Sequence, residues 1–198
     1  MCFFLLRTLI LSFDEIGSDA RLVFGEGIFL FAEASTLDEL MGVALFDKDG
    51  KRSGEVHLCE LETYVSVCKT YGKQAVLELK SEFTEQEIAQ IVDIIHSYEY
   101  IEHVTFISFN YANLEYVRRL LPEQSVQYLF SKLSDEITER LIRDKIDVAI
   151  SYKALTEEAL LAFHNAGLTV NCWTVDDKEA AEALAALGVD YITTNILE

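Results

Sequence analysis

Glu78 and Lys80 stand two residues apart at the end of a run, Gln74–Lys80 (QAVLELK), whose alternation is that of a β-strand. The period of two puts both side chains on one face, with Leu77 and Leu79 on the other, toward whatever covers the strand. A carboxylate at such a position suits ligation of a hard divalent cation, and an ammonium suits recognition of phosphate. The same pair also reads as a structural ion pair, and spacing alone does not separate the two. Other runs deliver polar or aromatic groups to their ends: Ser108, Phe109 and Asn110; Tyr152 and Lys153; Asn171 and Trp173; Thr194 and Asn195. Taken singly, Phe109 and Trp173 are ordinary core or rim aromatics, and Asn110 is a natural helix cap.

The elements that must position these groups are legible from about residue 62. Six short β-rich runs alternate with helical patterns: Gln74–Lys80, Val104–Asn110, Val126–Phe130, Asp147–Ser151, Thr169–Val175 and Asp190–Thr194. Thr84 and Glu87 form a capping box ahead of a helix running to about Tyr98. Asn110 opens a helix that ends before Pro122. Thr156 opens one that Gly167 closes, and Asp176 or Asp177 opens one that Gly188 closes. Strands alternating with helices through short loops predict a parallel α/β sheet, either open and doubly wound or closed as a barrel. A nucleotide-binding open sheet carries a Gly-rich strand-to-helix turn. Gly25 and Gly27 precede a further β-like run instead, so the barrel is the expected architecture. In such a barrel the C-terminal strand ends form the mouth where chemistry occurs.

The first 60 residues read differently. Arg7–Phe13 and Ala20–Phe31 look extended, as either a hairpin or two separate strands; Ser35 or Thr36 caps a short helix, and Asp47–Gly54 is a polar loop. The apolar opening, Met1 to Phe13, is shorter than the about 20 residues that span a bilayer. Arg7 lies in its middle and Asp14-Glu15 follow it, so a buried strand is expected rather than a targeting segment.

Composition narrows the partners. Half the residues are hydrophobic, there is one proline, and the formal charge is −18. Such a surface repels nucleic acid and anionic headgroups. The four cysteines (Cys2, Cys59, Cys68, Cys172) form no C-x-x-C pair, which is the usage of free thiols in a reducing, cytoplasmic setting.

The runs AVLELK, FISFNYANL and VNCWTVDDKEAAEALAALGVDYITTN together resemble the second half of the bacterial glycerophosphodiester phosphodiesterases, over about residues 56–198. That family shows an E-x-K strand end, an I-S-S-F-like strand end, a V-x-W-T-V strand and a closing G-V-D-x-I-x-T-[DN]. The resemblance implies a TIM-type barrel, incomplete at its N-terminal end, within one domain over 1–198, of which 1–55 is divergent. It implies metal-dependent hydrolysis of glycerophosphodiesters to glycerol-3-phosphate and an alcohol, with Ca²⁺ or Mg²⁺ as cofactor. Glu78 takes the place of a metal ligand, Lys80 that of a phosphate contact, and Phe109 and Trp173 lie at substrate-facing strand ends.

Upstream the likeness is looser. Family members read His-Asp, then Asp-Arg-Thr-Thr-x-Gly-x-Gly, then a T-L-x-E-L helix. Here Phe13-Asp14, then Ala20–Gly27, then Thr36–Leu40 stand in that order. Phe13 would then hold the place of the second family histidine, and Asp14 becomes a possible further metal ligand. The strands bearing the His-Arg-Gly and Glu-x-Asp motifs would lie before Met1. On that reading the chain as written is deficient in hydrolysis. A non-catalytic barrel that binds a phosphate or glycerol-phosphate ligand, or serves only as structure, is the alternative. The apolar runs near the N-terminus are then expected to cover a sheet edge or to form a homodimer contact.

Overall fold

The structure is a computed structural model that describes residues 21–24, 28–31 and 60–196. It divides into two units, Met1–Lys73 and Gln74–Glu198. In the first unit, β1 (Arg21–Phe24) and β2 (Ile28–Phe31) pair antiparallel, with Phe24 opposite Ile28. This hairpin lies within Ala20–Phe31, and the alternative of a hairpin or two separate strands for Arg7–Phe13 with Ala20–Phe31 involves residues outside the described ones. Helix α1 (Leu61–Thr70) buries Tyr64, Val65 and Cys68 along one face. Arg7–Phe13, Asp14, the expected 36–41 helix and the 47–54 loop lie outside the described residues.

The second unit is a parallel α/β sheet with the strands in chain order. Its strands are β3 (Ala75–Glu78), β4 (Val104–Ser108), β5 (Val126–Phe130), β6 (Asp147–Ser151), β7 (Val170–Trp173) and β8 (Tyr191–Ile192). Between them run α2 (Glu85–Ser97), α3 (Tyr111–Leu120), α4 (Asp135–Asp144), α5 (Glu157–Asn165) and α6 (Lys178–Leu187). Six strands in unbroken order with a helix between every two neighbours make an incomplete barrel: order alone excludes the doubly wound sheet, whose order must reverse.

The caps foreseen in sequence close as expected. Thr84 accepts from the Glu87 amide while the Glu87 carboxylate accepts from Thr84 N at 2.7 Å. That bond is the main cause holding the Glu87 carboxyl below its ordinary value. Asn110, Thr156 and Asp177 cap α3, α5 and α6. Gly188 ends α6 at φ +93°, a left-handed conformation that disfavours any side chain.

The two sheet faces differ sharply. Ala75, Val104, Phe106, Val126, Val148, Ile150, Val170 and Cys172 are completely buried on the helix-covered face. Phe163 of α5, Leu114 and Val117 of α3 and Leu141 of α4 are completely buried as well. Burial pushes the Cys172 thiol up to about 11, so it is an inert apolar filler. The opposite, concave face carries Thr105, Gln127 and Asn171, with Thr193 just past β8, all at most 8% exposed. Burying polar groups demands partners. Asn171 Nδ2 donates to Gln127 Oε1 at 3.3 Å, and Thr193 Oγ1 donates to Asn171 Oδ1 at 3.0 Å. Ala149, paired with Asn171, presents only a methyl group, which lets Gln127 and Asn171 meet above β6.

Candidate functional site

At the C-terminal strand ends, Glu78 is half-buried and Lys80 exposed, while Ala75, Leu77 and Leu79 are buried. This is the alternation read from the sequence. One Glu78 carboxylate oxygen, Oε1, is shut off from solvent. Strand register sets Glu78 against Ile107, so Lys80 and Phe109 each follow two residues further along neighbouring strands.

Phe109 and Trp173 meet across the concave face. Their ring centroids lie 5.6 Å apart at 82°, an edge-to-face contact between residues that follow β4 and end β7. The contact bridges over β5 and β6, which requires the sheet to curl. The indole is also pinned from below, since Trp173 Nε1–H donates to the Ala149 carbonyl at 2.9 Å. Phe109 is 48% exposed, so this aromatic wall has a solvent-facing side. Beside it, the turn after β7 is tied to the end of the described chain: Asp176 accepts from Thr194 Oγ1, Asn195 N and Asn195 Nδ2.

Not every polar residue expected at the mouth is there. Asn171 lies mid-strand in the buried polar chain described above, because the side-chain period puts it one layer below Trp173. Asn110 is a helix cap, accepting from Ala112 N at 3.0 Å. Tyr152 and Lys153 leave β6 in a turn, with the Lys153 ammonium 5.7 Å from the Tyr152 ring centre.

The described histidines sit elsewhere. His96 is in the last turn of α2, and His103 lies in a single 3₁₀ turn before β4, at 4.8 Å from the Tyr100 ring. His164, near the end of α5, bonds Asp190 at 2.9 Å. Asp190 also accepts from the Val170 amide, and Asp147 accepts from the neighbouring Thr169 amide, both at 2.8 Å. These contacts belong to the N-terminal rim, opposite the mouth. Burial holds the Asp147 carboxyl above its ordinary value, and the Thr169 hydrogen bond only partly offsets this.

Two residues govern the loop after β3: Asn113, which sequence reasoning missed, and Ser108, which it placed at a strand end. Asn113, in the first turn of α3 and completely buried, donates through Nδ2 to Leu79 O at 3.2 Å, Ser81 O at 2.8 Å and Ser108 Oγ at 3.1 Å. Its Oδ1 accepts from Phe83 N at 3.1 Å. Ser108 Oγ donates to Leu79 O at 2.6 Å and accepts from Asn110 N at 3.0 Å. The only available sequence signal was an asparagine inside a helix already capped by another, a place that helix propensity does not favour.

The profile of the glycerophosphoryl diester phosphodiesterase family matches residues 56–198, most of the chain. The chain belongs to that family. Among solved structures of similar fold is an Oleispira antarctica phosphodiesterase in complex with the product sn-glycerol-3-phosphate, with TM-score 0.74 and 24% identity, over 84% of this chain and 69% of that one. A glycerophosphodiester phosphodiesterase from Parabacteroides distasonis gives TM-score 0.63 and 24% identity over 88% and 76%. One from Agrobacterium tumefaciens gives 0.65 and 15% over 91% and 75%. The chain thus spans about two-thirds to three-quarters of the length of these phosphodiesterase-family structures. No curated protein matches the sequence. No helix among the described residues is long and apolar enough to cross a membrane.

Proposed function

We propose that this family domain takes a glycerol-phosphate group at the mouth of its barrel. In this reading Lys80 supplies one charge-assisted contact to phosphate, and Phe109 with Trp173 forms a wall for the carbon skeleton. The observation that carries it is the edge-to-face meeting of Phe109 with Trp173 at 5.6 Å, on the concave side and at the strand ends from which Lys80 also projects. A neighbour of the same fold holds sn-glycerol-3-phosphate, which supports this choice of ligand.

A divalent cation, the cofactor that the family likeness implies, does not find a complete set of ligands among the described residues. No three His, Cys, Asp or Glu side chains are grouped there, whereas Ca²⁺ or Mg²⁺ takes about six oxygen ligands. Glu78 can give one carboxylate, and Asp14, outside the described residues, is a second candidate by sequence. No described histidine is at the mouth to exchange protons with a diester. General acid–base groups contribute about 10²–10⁴-fold, so the described residues by themselves are expected to hydrolyse glycerophosphodiesters negligibly even with added metal. Cytoplasmic location and a homodimer contact through the N-terminal apolar runs complete the proposal.

Trp173 is the single tryptophan, so its emission reports on the mouth directly. Titration with sn-glycerol-3-phosphate should shift that emission, and Lys80→Ala should weaken binding by about tenfold or more, the worth of a charge-assisted hydrogen bond. Release of glycerol-3-phosphate from glycerophosphocholine, followed with Ca²⁺ or Mg²⁺, should stay at background. Metal-dependent turnover lost in Glu78→Ala would overturn the non-hydrolytic reading. An emission that glycerol-3-phosphate leaves unchanged would overturn the binding one.

A further inference from the structure

We propose that Asn113 is the positioning residue for Lys80, acting through the loop backbone rather than by touching a ligand; the inference rests on the reading of Lys80 as the phosphate contact. The carbonyls of the residues before and after Lys80, Leu79 and Ser81, both accept from the single amide group of Asn113. The next fixed point, Phe83 N, donates to the other end of the same side chain. One completely buried amide therefore directs three of its four contacts to residues 79–83, the fourth going to Ser108 Oγ. Ser108 adds a second donor to Leu79 O, and the Leu79 amide is held by Ile107 O at 2.8 Å.

The geometry of that grip is directional. Asn113 and Ser108 lie on the helix-covered side of the sheet, and both carbonyls are drawn toward it. The alternation of the strand then turns the Lys80 side chain to the concave face. A lysine stem is flexible and its ammonium adapts easily, so what the fold can fix is the origin of the stem, at the Lys80 Cα. A buried asparagine serving only the helix would bond within α3, yet each of its partners except Ser108 belongs to the lysine-bearing loop.

A double-mutant cycle on the intact chain tests this, with sn-glycerol-3-phosphate as the probe and Trp173 emission as the readout. Asn113→Ala should weaken binding by about three- to tenfold, part of the loss seen in Lys80→Ala. In the Lys80→Ala background it should weaken binding no further, while its effect on thermal unfolding should be the same in both backgrounds. An affinity loss of equal size in both backgrounds, or none in the native background, would overturn the positioning role while leaving the binding reading intact. Absence of Lys80-dependent binding in the parent protein would bring down both. Should Asn113→Ala fail to fold, Ser108→Ala removes one of the donors to Leu79 O, and the same cycle applies with the same expected non-additivity.

Discussion

Replacing Asn171 with alanine should be among the most damaging changes on the concave face. Asn171 is 4% exposed and holds two partners, Gln127 Oε1 and Thr193 Oγ1, whose residues are 6% and 8% exposed. The truncation strands an acceptor and a donor, each costing about 1–3 kcal/mol when left unsatisfied. The Thr193 hydroxyl can rotate toward another acceptor, which trims the total, so a loss of about 2–4 kcal/mol is expected. With a urea slope of about 2 kcal/mol/M, the midpoint should fall by about 1–2 M. Trp173 emission and far-ultraviolet circular dichroism should give the same midpoint. Thr193→Val strands only Asn171 Oδ1 and should cost about 1–2 kcal/mol; the double variant should cost less than the sum, by about 0.5 kcal/mol or more. A single-variant loss below about 0.5 kcal/mol, or strict additivity, would refute the claim that these three side chains form one closed chain.

Three shorter predictions follow from other sites. Burial raises the Asp147 carboxyl above its ordinary value of 3.8, so the folded state holds that proton more tightly and stability falls as pH rises through the interval above 3.8. Asp147→Asn keeps an acceptor for the Thr169 amide without the charge; melting temperatures should match the parent below that interval and exceed it above, and a variant less stable at pH 7 would contradict the sign. Phe109→Ala removes an edge-to-face partner worth about 0.5–1.5 kcal/mol and opens the indole to water, so Trp173 emission should move to the red. Gly188→Ala meets no atom within 4 Å but forces a side chain into φ +93°, and should cost about 1–2 kcal/mol in a denaturant titration.

The six strands were legible because each is a short β-branched run bounded by a cap or a glycine, and the helix-covered face is so uniformly apolar that its period survives in the sequence. The placement of Glu78 and Lys80 followed from alternation alone. The contact of Phe109 with Trp173 did not: 64 positions separate them, and only the curl of the sheet joins them. Asn113 was invisible for a similar reason, since its loop partners lie 30 to 34 positions away and leave no local pattern. Asn171 was expected at the mouth with Trp173, because a strand-end polar residue and a buried one look alike until the neighbours' sizes are known. Ala149 is the neighbour that decides it. Ala20–Phe31 was read as one extended stretch that could pair with Arg7–Phe13, and the antiparallel pairing within it was not foreseen.

The pair of carboxylates on the N-terminal rim has a consequence for the mouth at the other end. Asp147 and Asp190 seize two consecutive amides, Thr169 and Val170, at the point where β7 begins. A strand gripped at two adjacent positions from both neighbouring strands cannot ratchet by one residue without releasing both carboxylates. Such a one-step slip would carry Trp173 to the helix side and present the Cys172 thiol in its place, since successive side chains alternate between faces. The identity of the group that greets a ligand at the mouth is therefore set about 10 Å away, by two acids that never meet it.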